Sequence, residues 1–213
     1  MISVKKFTFN PFQENTYVLF DETKECVIID PGCYEEYEQE ELVNFIEINE
    51  LKPVKLISTH SHIDHVLGNK FVMETFEVDL HIHKLDLETL LAADISASKY
   101  GILKFQPCET PTHFFEEGDK ITFGNSTLDI LFVPGHAPGH VAFVAQEEKF
   151  VINGDCLFYG SVGRVDLPGG DAATLVHSIK SKLFTLSDEF VVYCGHGPET
   201  TIGFEKQNNR YLQ

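Results

Sequence analysis

Near the start of the chain, apolar and polar positions alternate or collect into β-branched runs in three segments, SVKKFTF, NTYVLF and ECVIID, broken by NPFQE and DETK. Period-two patterning interrupted by turn residues predicts an antiparallel meander. In YEEYEQEELVNFIEI, which follows, Leu42, Phe45 and Ile46, with Val43, recur at helical spacing, and the glutamates read as a solvated face. From Pro53, VKLIS has the unbroken apolar character of a buried strand. Next come a histidine-rich loop, a helix from about Leu67 to Phe76, a strand at VDLHIH, and a helix over DLETLLAADISASKYG with Gly101 as its C-cap. From about Lys120 strands return in KITFG, STLDILFV, HVAFVAQ and KFVIN. DAATLVHSIKSKLF spaces Leu175, Ile179 and Leu183 at four, EFVVYCG is one more strand, and a short helix follows it.

Strands precede helices in each half, so the pattern predicts an α/β protein whose two sheets are covered on their outer faces by helices, one domain over residues 1–213. A doubly wound parallel sheet is disfavoured, because the turns between the early strands and between the late ones are too short for crossover helices.

Composition narrows the partners. Sixteen Lys plus Arg against 33 Asp plus Glu leave a net charge of −17 at 43% hydrophobic content. That supports a core but no basic surface for nucleic acid or for an anionic membrane. No apolar region follows MISVKKFTFN, and no run approaches the roughly 18 apolar residues of a membrane span. Five cysteines, an odd number without a C-x-x-C pair, read as thiols in a reducing compartment, so cytoplasm is expected.

The ten histidines are grouped. STHSHIDHVLGN places His60, His62, Asp64 and His65 just past the apolar strand VKLIS. His60 and His62, two apart, point to one side of an extended segment. Asp64 and His65, on the turn into a helix, can aim at a second point. His136 in FVPGHAPGH, Asp155 in VINGDCLF and His196 in VVYCGHGP each lie at the end of an apolar run beside glycine. Together they suit two divalent cations: His60, His62 and His136 for one, Asp64, His65 and His196 for the other, and Asp155 as the bridge. Imidazole and carboxylate donors favour zinc, with iron or manganese as alternatives. Water shared by two cations ionises near neutral pH, so no Ser or Cys nucleophile is needed, and Asp64 and Asp155 become the catalytic carboxylates. His140 reads as support for a ligand or loop, and His81 and His83 as non-ligands. Cys156 and Cys194 read as packed thiols.

These seven residues resemble the signature of the metallo-β-lactamase superfamily over essentially the whole chain, which implies an αββα sandwich. PGHAPGH, NGDCLFYGSVGR, VDLPGGD and GHGPETTIGFE look most like the short glyoxalase-II-like branch. Asp155 stands where typical β-lactamases have Cys, and His62 excludes the flavo-diiron pattern. The resemblance implies hydrolysis of an acyl-thiol such as S-lactoylglutathione to a hydroxy acid and a thiol, by a hydroxide shared between the cations. Arg164 matches the position of a glutathione-binding cation in that branch, with a salt bridge to Asp166 or Asp171 as its other reading. Tyr159 is a candidate for the substrate cleft. Full-length glyoxalase II enzymes carry a helical C-terminal extension, whereas 17 residues follow His196 here. A related mononuclear iron persulfide dioxygenase and a non-catalytic metal-stabilised module are the competing functions. Two cations would reverse the local sign of an acidic protein and suit an anionic thioester.

Overall fold

The computed structural model describes residues 1–213. Strands β1 (Ser3–Phe9), β2 (Glu14–Phe20) and β3 (Glu25–Ile29) form the expected antiparallel meander. Helix α1 (Glu36–Ile48) then crosses to β4 (Lys52–Ile57), parallel to β3. Helices α2 (Ile63–Val66) and α3 (Asn69–Phe76) lead to β5 (Leu80–His83), parallel again. A 3-10 turn over Lys84–Asp86 and helices α4 (Leu87–Leu91) and α5 (Ala93–Tyr100) lead to β6 (His113–Phe115). The first sheet is therefore mixed, antiparallel in its first half and parallel in its second. The second sheet runs β14 (Thr200–Thr201), β13 (Val191–Tyr193), β10 (Phe150–Ile152), β9 (Val141–Ala145), β8 (Ser126–Phe132) and β7 (Lys120–Phe123). Between β10 and β13 lie a small hairpin, β11 (Leu157–Phe158) with β12 (Ser161–Val162), and helix α6 (Ala172–Ser181); α7 (Ile202–Asn208) follows β14.

The side chains sort into three cores. Tyr17, Leu19, Val27, Ile29 and Ile57 meet Phe123, Leu128, Ile130, Phe143 and Ile152 between the sheets. Leu42, Ile46, Val72, Ala93 and Ala97 bring the helices of the first half onto one outer face, joined there by Val18 and Ile28. Leu175, Ile179, Leu183 and Ile202 cover the other face with Ala142, Val144 and Val192. Strands such as VAFVA are buried on both faces and so read as continuous apolar runs. This is the αββα sandwich. No helix is long and apolar enough to cross a membrane.

Several local features differ from the sequence reading. The stretch read as one helix over residues 86–101 breaks at Ala92, although Gly101 does close it, at φ +73°. Leu183, placed on a helix, sits in a 3-10 turn just beyond α6 and is still buried. Glu38 does not belong to the solvated face of α1. It is buried because its carboxylate accepts the main-chain N–H groups of Asn10, Tyr34 and Glu35 and so caps the helix.

Asp21, just past β2, ties the first sheet to the turn before β8 in the second. Its carboxylate accepts Thr23 N and Oγ1 at 2.9 and 2.5 Å, Asn125 N at 2.7 Å and Ser126 Oγ at 2.7 Å. Burial pushes its pKa up, but these hydrogen bonds outweigh it and hold the group at about 2. Because the folded value lies below the unfolded one, the stabilisation is present above about pH 4 and is lost as pH falls toward 2. Asp21→Ala is expected to lower unfolding free energy by about 1–2 kcal/mol at pH 7. In urea melts the gap from wild type should narrow steeply as pH falls from 4 toward 2; a gap independent of pH would contradict this account.

Candidate metal centre

The loops at one end of the sandwich carry every candidate ligand. β4 ends at Ile57, and its continuation delivers His60, buried, and then His62, the extended residue that opens α2. Asp64 and His65 lie within that helix. His136 follows β8, Asp155 follows β10 and His196 follows β13. The structure brings all seven together.

In the first group, His136 Nε2 lies 2.8 Å from His62 Nδ1 and 3.2 Å from His60 Nε2. In the second, Asp64 Oδ2 lies 3.1 Å from His196 Nε2 and 3.7 Å from His65 Nε2. Each triad converges closely enough for one cation. Asp155 stands between them: Oδ1 is 3.4 Å from His65 Nε2, and Oδ2 is 3.6 Å from His136 Nε2 and 3.5 Å from His196 Nε2. The donor set fits two divalent cations. His65 Nε2 and Asp155 Oδ1 are buried and make no hydrogen bond, facing each other only as an ion pair at 3.4 Å, and a cation would satisfy both atoms.

Outer contacts aim the rings. Nδ1 of His60, His65, His136 and His196 lies against Thr59 Oγ1 (3.0 Å), Asp30 Oδ2 (3.3 Å), the Arg164 carbonyl (2.7 Å) and the carbonyls of Phe12 and Gln13 (3.1 and 3.2 Å). With those nitrogens donating, Nε2 is the free lone pair in all four, as metal-ligating histidines require. Asp30, whose oxygens also accept Thr59 N and Oγ1, was not singled out in the sequence, although it too ends an apolar strand. The His196 loop is pinned from β2: Tyr17 Oη and Asn15 Nδ2 donate to the Cys194 carbonyl at 2.6 and 3.0 Å. Gly195 is required by close approach, since a Cβ there would lie 2.1 Å from Asp155 Oδ1.

Other sequence candidates fall as follows. His140 is buried, and its Nε2 accepts Asp155 N at 3.2 Å. His81 stacks on His113 and His83 on Phe132, each pair at 4.5 Å. Cys156 and Cys194 are buried, and burial pushes both thiols up. The Arg164 guanidinium pairs with Asp166 through two hydrogen bonds of 2.7 and 2.6 Å. Tyr159 is exposed and stacks on Phe204 at 4.7 Å. Its neighbour Phe158, unmarked in the sequence, faces the centre, 6.2 Å from the His196 ring.

The two groups differ in charge. Burial, then the neighbouring histidines, push His60 well down, and burial and His136 bring His62 to about 3. Burial also opposes the charge on His65, but Asp155 and Asp64 outweigh it and hold the ring well above its ordinary value. His196 is raised against burial by its hydrogen bond to Asp64 and by Asp155. Asp64 and Asp155 are held down despite burial, chiefly by His65. His60 and His62 thus offer neutral imidazoles to the first site, whereas His65 and His196 exchange protons for a cation at the second.

The sequence profile of the metallo-beta-lactamase superfamily matches residues 9–196, a span that holds all seven donors. The chain belongs to this superfamily. Its hydrolase relatives make it a metal-dependent hydrolase, and the superfamily's fold implies divalent-metal binding. It is 36% identical over 202 residues to a Haemophilus influenzae protein named hydroxyacylglutathione hydrolase GloC, covering 94% of this chain and 93% of that one. Among solved structures it resembles TTHA1623 in a di-iron-bound form (39% identity, 98% and 100% of the two chains, TM-score 0.88). It also resembles the B3 metallo-β-lactamase BLEG-1 (34%, 99% and 100%, TM-score 0.88).

Proposed function

We propose that this metallo-hydrolase cleaves an anionic thioester of the S-lactoylglutathione type into a hydroxy acid and a free thiol, at a centre of two divalent cations. The carrying observation is Asp155, whose oxygens face both triads, in a chain that aligns with a hydroxyacylglutathione hydrolase along nearly all of both lengths. Zinc is the first candidate on donor chemistry; the di-iron form of a relative keeps iron in view, with manganese third. Five free cysteines accord with a reducing, cytoplasmic setting.

When bound, the cations would lower the pKa of water to about 7, polarise the acyl carbonyl and stabilise the departing thiolate. His60, His62 and His136 would hold one cation and Asp64, His65 and His196 the other, with Asp155 fixing their separation. Arg164, exposed on the loop whose carbonyl orients His136, would exchange Asp166 for a substrate carboxylate, because the exposed pair gains little from staying closed. Phe158 and the exposed Tyr159 would flank the acyl-thiol from the β11–β12 hairpin.

The test is turnover by purified, metal-quantified protein of S-lactoylglutathione, a chromogenic cephalosporin and glutathione persulfide with oxygen uptake recorded. Thioester hydrolysis that stops on chelation and returns with two cations per chain is expected. Preference for the cephalosporin, or oxygen uptake with one iron per chain, would replace this reading. Absence of turnover on all three would refute the thioester reading and leave the hydrolase with a different substrate.

A further inference from the structure

Asp86 is fully buried in the 3-10 turn after β5, outside the seven donors. It sits at the position that precedes α4, where an aspartate ordinarily caps a helix, yet its side chain makes no capping hydrogen bond to that helix. The carboxylate turns instead toward two loops of the metal centre. Oδ2 accepts the main-chain N–H of Ser61, the residue between His60 and His62. Oδ1 accepts the main-chain N–H of Gly139 at 3.1 Å, three residues past His136. The Thr89 hydroxyl is its remaining partner, at 3.5 Å. Gly139 fits the arrangement by lacking a side chain, since a Cβ there would lie 2.5 Å from both the Asp86 Cβ and its main-chain nitrogen.

We propose that Asp86 is a positioning residue for the first cation site: one buried carboxylate clamps the His60–His62 loop to the His136 loop and sets the spacing of the three imidazoles. The inference rests on the two-cation reading of the centre. The physical ground is that three rings from two separate loops must meet within tenths of an ångström, and the ring-to-ring contacts of His136 with His62 and His60 use the very nitrogens a cation would take, so the spacing has to be set by the main chains of the two loops. The second triad draws Asp64 and His65 from α2 and is oriented through Asp30 and the carbonyls of Phe12 and Gln13, none of which Asp86 touches.

The experiment isolates each site. His196→Ala leaves the first triad intact, and His136→Ala leaves the second. Zinc affinity is measured by chelator competition in both backgrounds, with and without Asp86→Ala. Asp86→Ala is expected to weaken zinc ten- to a hundredfold in the His196→Ala background and to leave it unchanged in the His136→Ala background. Equal losses in both, or a lowered melting temperature with no loss of affinity in either, would overturn the clamp. Gly139→Ala, which wedges the same contact from the opposite side, is expected to reproduce the selective loss and decides the matter if Asp86→Ala does not fold. Zinc stoichiometry of the wild type tests the two-cation reading separately: one cation per chain would sink that reading, while the affinity of the first triad would still judge the clamp.

Discussion

Asp155→Ala is expected to cut thioester kcat/KM by about a thousandfold or more while leaving a folded chain. Positioning and polarisation by a metal pair contribute several kcal/mol to the transition state, and each 1.36 kcal/mol is tenfold in rate. Asp155 lies within 3.6 Å of donors from both triads, so its loss affects both cations at once. Fewer than two cations per chain should remain after desalting. Gly195→Ala provides the steric counterpart, because its new methyl would lie 2.1 Å from Oδ1 and push the carboxylate aside. Both variants should keep the far-ultraviolet circular dichroism of the wild type. An Asp155→Ala protein with two cations and thioester turnover within tenfold of normal would refute the bridging role.

The candidate donors were legible because the sandwich delivers them by a simple rule: a buried strand is a long apolar run, and its end is where rigid backbone meets solvent. The same rule applied once more would have reached Asp30, at the end of ECVIID. Asp86 offered no such signal, since in the sequence it reads as an ordinary helix-opening aspartate and only the packed structure shows its carboxylate turned away from the helix. Phe158 was hidden beside Tyr159: a two-residue strand fixes which neighbour faces inward, and no periodicity can be read from two residues. For the same reason β6, β11, β12 and β14, of two or three residues each, escaped the hydrophobic pattern. Glu38 looked like one of many surface glutamates, and only the approach of Asn10 from a distant loop makes it a buried cap. Periodicity carries information along one element, whereas these residues take their roles from a second segment of chain.

Removing the cations is expected to lower the melting temperature by about 10 °C or more at pH 8, and by less at pH 6.5. A ligand at a thousand times its dissociation constant adds about 4 kcal/mol per site, and a chain of this length shifts about 2–4 °C per kcal/mol. The pH dependence follows from the two groups. In the chelated protein His60 and His62 are held neutral, so below their unfolded value of about 6.5 unfolding takes up protons, and stability rises from about pH 3, where His62 titrates, toward 6.5. Asp64 and Asp155, held down, contribute in the same direction as pH rises from acid. Above 6.5 the sign reverses. His65 and His196 are raised, so the stability they supply as imidazolium is complete below 6.5 and is lost as pH climbs through their folded values. Chelated protein should therefore be most stable near pH 6.5. With cations bound, those two rings are already deprotonated ligands, the alkaline loss disappears, and competition from protons weakens as pH rises. Thermal melts of metal-free and metal-loaded protein from pH 6.5 to 8.5 should show the gap widening. A gap that stays flat or narrows would mean that His65 and His196 do not exchange protons for a cation, and the assignment of the second site would fall with it.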